Sequence, residues 1–387
     1  MSGLIKTWQT LASGNGDYTA FNFYAPNRYD YGNRTNDWGK APRDDGELQR
    51  GGFTLPYSLR GASDSRLTAI DLPGGPGTPL SAQWKSTFAP ARYRVAAGNW
   101  RGAGNSLPLG QLNNNTTEQL VEDIEALRLA VVRNNDERIM LRGNSWGMAM
   151  AVAYAAAYPD KIAGITLGVP FLARPEDVDF SYSAKGALAQ RYPHEYEQLT
   201  KATGKTDARE LMQYLSDEMG TDDPRRAAKA FVAFTKWEYA TNGAVYNRRP
   251  EELDFTEPMQ QQMLARARIF SNYTANDFFL NNGIRDQLNT LGRSNIPVIL
   301  LAHAQDPLSP PGTLDLVKKA LPKAEIHECD IAWHSLLIPP TERSPSMDFE
   351  KRFAANGYAY GMGKLALIAA GDTELRAGVF NHKKPAL

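Results

Sequence analysis

Apolar positions follow two different rhythms along the 387-residue chain. From Gly52 onward, short apolar runs at 66–72, 92–98, 138–142 and 162–171 alternate with helical stretches at 116–133 and 147–158. This alternation predicts parallel strands joined by crossover helices. In the first helix, Leu120, Ile124, Leu127 and Val131 recur at helical spacing, and Thr116 and Gln119 form a capping-box pattern at its start.

Between about 172 and 292 the strand signal gives way to amphipathic helices, for example over 207–218 and 225–238. Strand character returns at 296–301, followed by a helix near 312–320 and a short strand at 325–329. The expected organisation is therefore a core of residues 51–171 and 293–340, split by a helical lid at 172–292. Residues 1–50, rich in Gly, Asn, Asp, Tyr and Arg, read as an N-terminal extension of loops with one or two short strands. Residues 341–387 form a C-terminal extension.

Composition narrows the class. Apolar residues make up 42% and charged residues 22% of the chain, as expected of a self-folding globular protein. Basic and acidic residues both number 43, so no net field draws the chain to nucleic acid or an anionic membrane. The longest apolar stretch, 148–158, is too short to span a bilayer and ends at Pro159. The first residues lack a secretory signal pattern, which gives a cytoplasmic expectation. A single cysteine, Cys329, rules out an internal disulfide. The five histidines show no metal-binding spacing, so neither metal nor cofactor is expected.

The candidate chemistry centres on Gly143-Asn144-Ser145-Trp146-Gly147, placed between an apolar strand and a helix of small and apolar residues. That context suits a nucleophile elbow, with Ser145 as nucleophile. A hydroxyl needs a base to take its proton and a carboxylate to orient that base. The elbow, with nucleophile, acid and base following in that order, is the signature of the α/β-hydrolase fold: a mostly parallel sheet with helices on both faces and an inserted helical lid.

Among the histidines after Ser145, His334 follows the last strand. His303 and His327 fall at or inside strands, His194 in the lid and His382 in the tail. For the acid, Asp306 ends the preceding strand and is preferred over Asp177, Asp179 and Asp330. The oxyanion hole needs backbone N–H groups aimed at the developing charge. Trp146 supplies one and Gly75, in the loop Pro73-Gly74-Gly75-Pro76-Gly77, the other; Gly74 lets the backbone approach a substrate closely.

In their order, these segments resemble proline iminopeptidases, serine aminopeptidases that remove an N-terminal proline. The glycine loop is similar to that family's HGGPG, residues 100–106 to its Q-R-G-x-G-x-S, residues 115–117 to its N-T-T, and 143–147 to its GGSWG. Asp306-Pro307 falls on its acid segment and His334-Ser335 on its G-H-S. The resemblance covers roughly residues 52–340 and implies the same triad and oxyanion residues.

It also implies that lid carboxylates bind the substrate's amino group. Glu238, in Trp237-Glu238-Tyr239, matches one, whereas Phe270 stands at the position of the second. Pro73 replaces the loop's histidine, and Asn99 an aspartate. The expected function is hydrolysis of an amide bond in small peptides or amino-acid amides through an acyl-enzyme. The alternatives are an esterase, lactonase or metabolite-tailoring hydrolase acting on an uncharged substrate, and a non-catalytic binding module.

Overall fold

The computed structural model describes residues 43–61, 65, 67–80, 88, 93–242, 245–303 and 306–329. Its centre is an eight-stranded sheet in the order β1-β2-β4-β3-β5-β6-β8-β9. The strands are β1 (Arg43–Arg50), β2 (Phe53–Arg60), β3 (Leu67–Leu72), β4 (Tyr93–Gly98), β5 (Ile139–Asn144), β6 (Ile162–Gly168), β8 (Val298–His303) and β9 (Glu325–Cys329). From β4 onward every neighbouring pair is parallel, while β1 and β2 add an antiparallel edge. This is the mostly parallel sheet that the alternating pattern predicts.

Successive side chains along each strand serve opposite faces, as strand geometry requires. Ile70, Leu72, Leu141, Ile165, Leu167 and Leu300 join the large core cluster with the helices. Ala69, Val95, Ala97, Met140, Ile299 and Leu301 form a second cluster with Phe88 and Tyr93. Helix α1 (Thr117–Val131) buries Leu120, Ile124, Leu127 and Val131 against the larger cluster and carries the expected capping box at Thr116 and Gln119. Helix α2 (Trp146–Ala157) is buried over its first ten residues, from Trp146 to Ala155. That explains an apolar run with no polar face.

Between β6 and β8 lie α3 (Pro175–Tyr182), α4 (Ala187–Arg191), α5 (Pro193–Thr203), α6 (Ala208–Met219), α7 (Pro224–Thr241), α8 (Pro258–Ala275), a short strand β7 (Asn281–Ile284) and α9 (Arg285–Arg293). Helix α10 (Thr313–Ala320) links β8 to β9. Side chains of Asp207 and Asp223 cap α6 and α7, each accepting two backbone N–H groups.

The start of the sheet differs from the expected division. Residues 43–50, placed with the N-terminal extension, form β1 and pair along their whole length with β2. The two-residue turn Gly51-Gly52 has positive φ at both positions, the geometry that tight hairpins favour. One or two short strands are expected somewhere in residues 1–50, but nothing marks where: β1 is an edge strand with no buried residue, so no apolar alternation locates it. Among the described residues, no helix is long and apolar enough to cross a membrane.

Candidate active site

Ser145 occupies the turn between β5 and α2 with φ 54° and ψ −121°. A side-chain-bearing residue held there costs about 1–3 kcal/mol, and such strain persists where the surroundings over-determine it. Those surroundings are visible. The Ser145 N–H donates to the Gly168 carbonyl of β6 at 2.9 Å. A β-carbon on Gly143 would lie 2.1 Å from the Gly147 carbonyl oxygen, and one on Gly147 the same distance from the Leu72 carbonyl oxygen. Strand, turn and helix therefore cross at a spacing only glycine permits, and Ser145 is left partly exposed at the C-terminal end of β5.

The glycine loop lies directly against this turn. Leu72, the last residue of β3, pairs with Gly143, so the chain enters residues 73–77 beside the elbow. A β-carbon on Gly74 would sit 3.0 Å from the Asn144 carbonyl oxygen and 3.3 Å from the Ser145 Cβ. Gly75 adopts φ 72°, and its carbonyl accepts the Thr78 N–H at 3.1 Å, closing a turn. The structure thus brings together Ser145, Trp146, Gly74 and Gly75.

Trp146 is 4% exposed. Its ring packs on Tyr273 of α8 at 5.5 Å and on Phe278, which follows α8, at 5.3 Å. The Tyr273 hydroxyl donates to Asn115 Oδ1 at 3.0 Å. Asn115 Nδ2 donates in turn to the Arg101 carbonyl at 2.9 Å, and the Arg101 guanidinium grips Asp123 of α1 at 2.6 and 2.8 Å. Burial pushes the Tyr273 phenol well above the usual tyrosine range, so it remains a donor. Segments 100–106 and 115–117 therefore fasten helix α8 to the core next to Trp146. A cavity of about 10 Å³, room for roughly one water, lies among Gly75, Trp146, Arg101, Asn115, Ile269 and Tyr273. It backs the glycine loop, and Ser145 is not among the described residues that line it.

Asp306 follows β8. Its Oδ1 accepts the Leu308 N–H at 2.9 Å, and the Ser309 hydroxyl lies 2.9 Å from Oδ2 and 3.2 Å from the Pro170 carbonyl beyond β6. Asp177 is instead held by Arg174 through contacts of 2.6 and 3.1 Å. Asp179 pairs with Arg209. His334 and Asp330 lie outside the described residues. Of the other histidines, His327 sits on β9 with Nε2 3.0 Å from Glu325 Oε1, and His194 on α5 contacts Gln198 at 2.8 Å.

Glu238, on α7, accepts the Tyr182 hydroxyl at 2.7 Å. Burial pushes that phenol well above its ordinary range, and the Glu238 charge and hydrogen bond push it further, with Arg266 acting in opposition. Phe270, on α8, packs its ring at 5.8 Å from Phe234 and lies 6.0 Å from the Arg266 guanidinium carbon. Arg266 is a residue that spacing alone did not single out. Its Nε donates to Thr78 Oγ1 at 3.3 Å, and its Nη2 lies 3.9 Å from where a Gly75 β-carbon would be.

The α/β-hydrolase fold model matches residues 70–338. The chain belongs to the α/β-hydrolase fold family. Within that family it is proline iminopeptidase-like. It is 30% identical to a proline iminopeptidase of Xylella fastidiosa over 70% of this chain and 84% of that one. It is also 30% identical to one from Arabidopsis thaliana, over 74% and 73% of the two chains. A Neisseria meningitidis proline iminopeptidase is 28% identical over 78% of this chain and 93% of its own length. The fold is shared with the crystal structure of a Mycobacterium smegmatis proline iminopeptidase, at a TM-score of 0.53 and 19% identity over 84% of this chain and all of that one. A haloalkane dehalogenase variant from Bradyrhizobium elkanii has the same TM-score at 16% identity, covering 86% of this α/β-hydrolase and 99% of that protein.

Proposed function

We propose that this α/β-hydrolase is a serine aminopeptidase of proline iminopeptidase type, cleaving the amide bond after a free N-terminal residue in small peptides or amino-acid amides. The observation that carries the reading is the strained Ser145 turn with the glycine loop packed so close that a β-carbon added to Gly74 would lie 3.3 Å from the Ser145 Cβ. In this mechanism His334 takes the Ser145 proton as Oγ attacks the scissile carbonyl, and Asp306 orients the imidazole. The oxyanion accepts the Gly75 and Trp146 N–H groups. The C–N bond then breaks, with the leaving amine receiving the proton from His334. Water, deprotonated by the same histidine, releases the acid and restores the serine. Glu238 holds the substrate's ammonium.

Labelling with a fluorophosphonate probe, compared with Ser145→Ala, tests the nucleophile; absence of a Ser145-dependent adduct would refute it. Free-amine and amine-blocked substrates then test the aminopeptidase assignment, which fails if blocking leaves kcat/KM unchanged. A second reading, an esterase or lactonase acting on an uncharged substrate, is favoured by Phe270 where a second carboxylate is expected. A buried ammonium is held less well by one carboxylate and a ring than by two carboxylates.

A further inference from the structure

We propose that Phe278 is a positioning residue for the oxyanion hole: the left-handed turn that follows α8 presses its ring on Trp146 and so fixes the backbone N–H that Trp146 offers to the transition state. This rests on the serine-hydrolase part of the reading above and adds a residue to it.

Asp277, Phe278 and Phe279 adopt φ of 46°, 56° and 55° in succession. Residues with side chains seldom enter this region even singly, because Cβ crowds the following carbonyl oxygen, and a bulky ring there is exceptional. Three in a row persist only where their neighbours over-determine them. Each of the three is held. The Arg209 guanidinium of α6 bonds Asp277 at 2.8 and 3.1 Å. Thr117, at the start of α1, donates its hydroxyl to the Phe278 carbonyl, and the Phe279 ring meets Tyr273 edge-on at 5.0 Å. The turn is thus pinned to the helical insertion through α6 and to the core through α1.

What the pinned turn delivers is one buried ring. Phe278 is 3% exposed and contacts two other rings, Trp146 at 5.3 Å with a tilt of 31° and Phe171 at 5.1 Å with an angle of 76°. Trp146 is the first residue of α2 and directly follows Ser145. Phe171 lies three residues beyond Gly168, whose carbonyl accepts the Ser145 N–H. Because Tyr273 also packs on the indole, the Trp146 ring cannot turn without displacing a ring of the helical insertion. An oxyanion donor works because it is aimed before the charge develops and needs no reorganisation during the reaction. Relaxing the turn would draw Phe278 off the indole and free the peptide unit joining Ser145 to Trp146 to rock.

The experiment uses the full chain and two probes that require no knowledge of the natural substrate: a fluorophosphonate, for the rate at which Ser145 is labelled, and p-nitrophenyl acetate, for kcat and KM. Phe278→Ala lowers the labelling rate and kcat together by about 10- to 30-fold, short of the roughly 10²–10³ that follows loss of a whole donor. KM and the pH profile of kcat stay as in the parent. Phe278→Leu, which keeps apolar bulk without the ring, falls between Phe278→Ala and the parent. Asp277→Asn still tolerates a positive φ but loses the ion pair with Arg209, and lowers both rates several-fold. Thermal unfolding confirms that each variant is folded. Parent-like labelling and kcat in Phe278→Ala, or a loss carried by KM, overturns the proposal and leaves the hydrolase reading intact. Where Phe278→Ala does not fold, parent-like rates in Phe278→Leu and Asp277→Asn overturn it. A parent chain that is not labelled at Ser145 defeats the hydrolase reading, and the role of Phe278 with it.

Discussion

The buried hydroxyl of Tyr182, on α3, donates to Glu238, on α7, at 2.7 Å. The bond fixes one oxygen of the carboxylate proposed to receive the substrate's amino group. A side-chain hydrogen bond to a charged group contributes about 1.5–3 kcal/mol. Tyr182→Phe should therefore raise KM for free-amine substrates roughly tenfold or more with little change in kcat. Amine-blocked substrates should show no such change; an equal effect on both would remove Glu238 from amine recognition.

The acid makes a separate prediction. Asp306→Asn keeps the hydrogen-bonding shape but removes the charge that stabilises an imidazolium, and should lower kcat by about 10³–10⁴. Ser309→Ala deletes only the contact at 2.9 Å and should cost several-fold in kcat. Steady-state kinetics of both variants check this order; full activity in Asp306→Asn would return the acid role to another residue.

Gly74 bears on the oxyanion hole. The extra methyl of Gly74→Ala would press on the Asn144 carbonyl and Ser145 Cβ at 3.0 and 3.3 Å. Displacing the loop should lower kcat toward the loss of one oxyanion donor, about 10²–10³, while the fold survives. Circular dichroism alongside kcat distinguishes this result from unfolding.

Asp45 predicts an acid response at the sheet edge. Partial burial alone would raise its pKa, but hydrogen bonds from Ser58, Arg43 and Arg60 outweigh it and hold the carboxyl at about 2. A depressed carboxyl stabilises the fold above its unfolded pKa, and that stabilisation disappears as pH falls through the folded value. Asp45→Asn should thus unfold more easily than the parent at pH 5, with the gap in Tm closing toward pH 2. A gap unchanged across that range would show that the ion pairs of the β1–β2 hairpin are not its source.

Much of the architecture was legible because it is local. Strand and helix periods, the Thr116 capping box and the glycines around Ser145 all lie within a few residues of the features they create. The resemblance pointed to Glu238 and Phe270, which the structure places on adjacent helices. Strand β1 was faint because none of its residues is fully buried and Leu48 is the only apolar side chain it packs on the core. Arg266 was hidden for another reason: its hydrogen-bond partner Thr78 is 188 residues away, and only the seating of α8 on the glycine loop brings them together. Likewise, the residues fastening Tyr273 through Asn115 and Arg101 to Asp123 appeared as motif letters, and their mechanical role emerged only with the fold.

That fastening has a bearing on engineering. Helix α8 carries Tyr273 against Trp146 and packs Ile269 and Arg266 on Gly77, so one rod braces both the Ser145 turn and the glycine loop. The helical insertion therefore cannot be exchanged as a cassette for that of a relative without retuning the machinery beneath it. Grafts intended to change selectivity should keep residues 258–275 and vary the helices on either side.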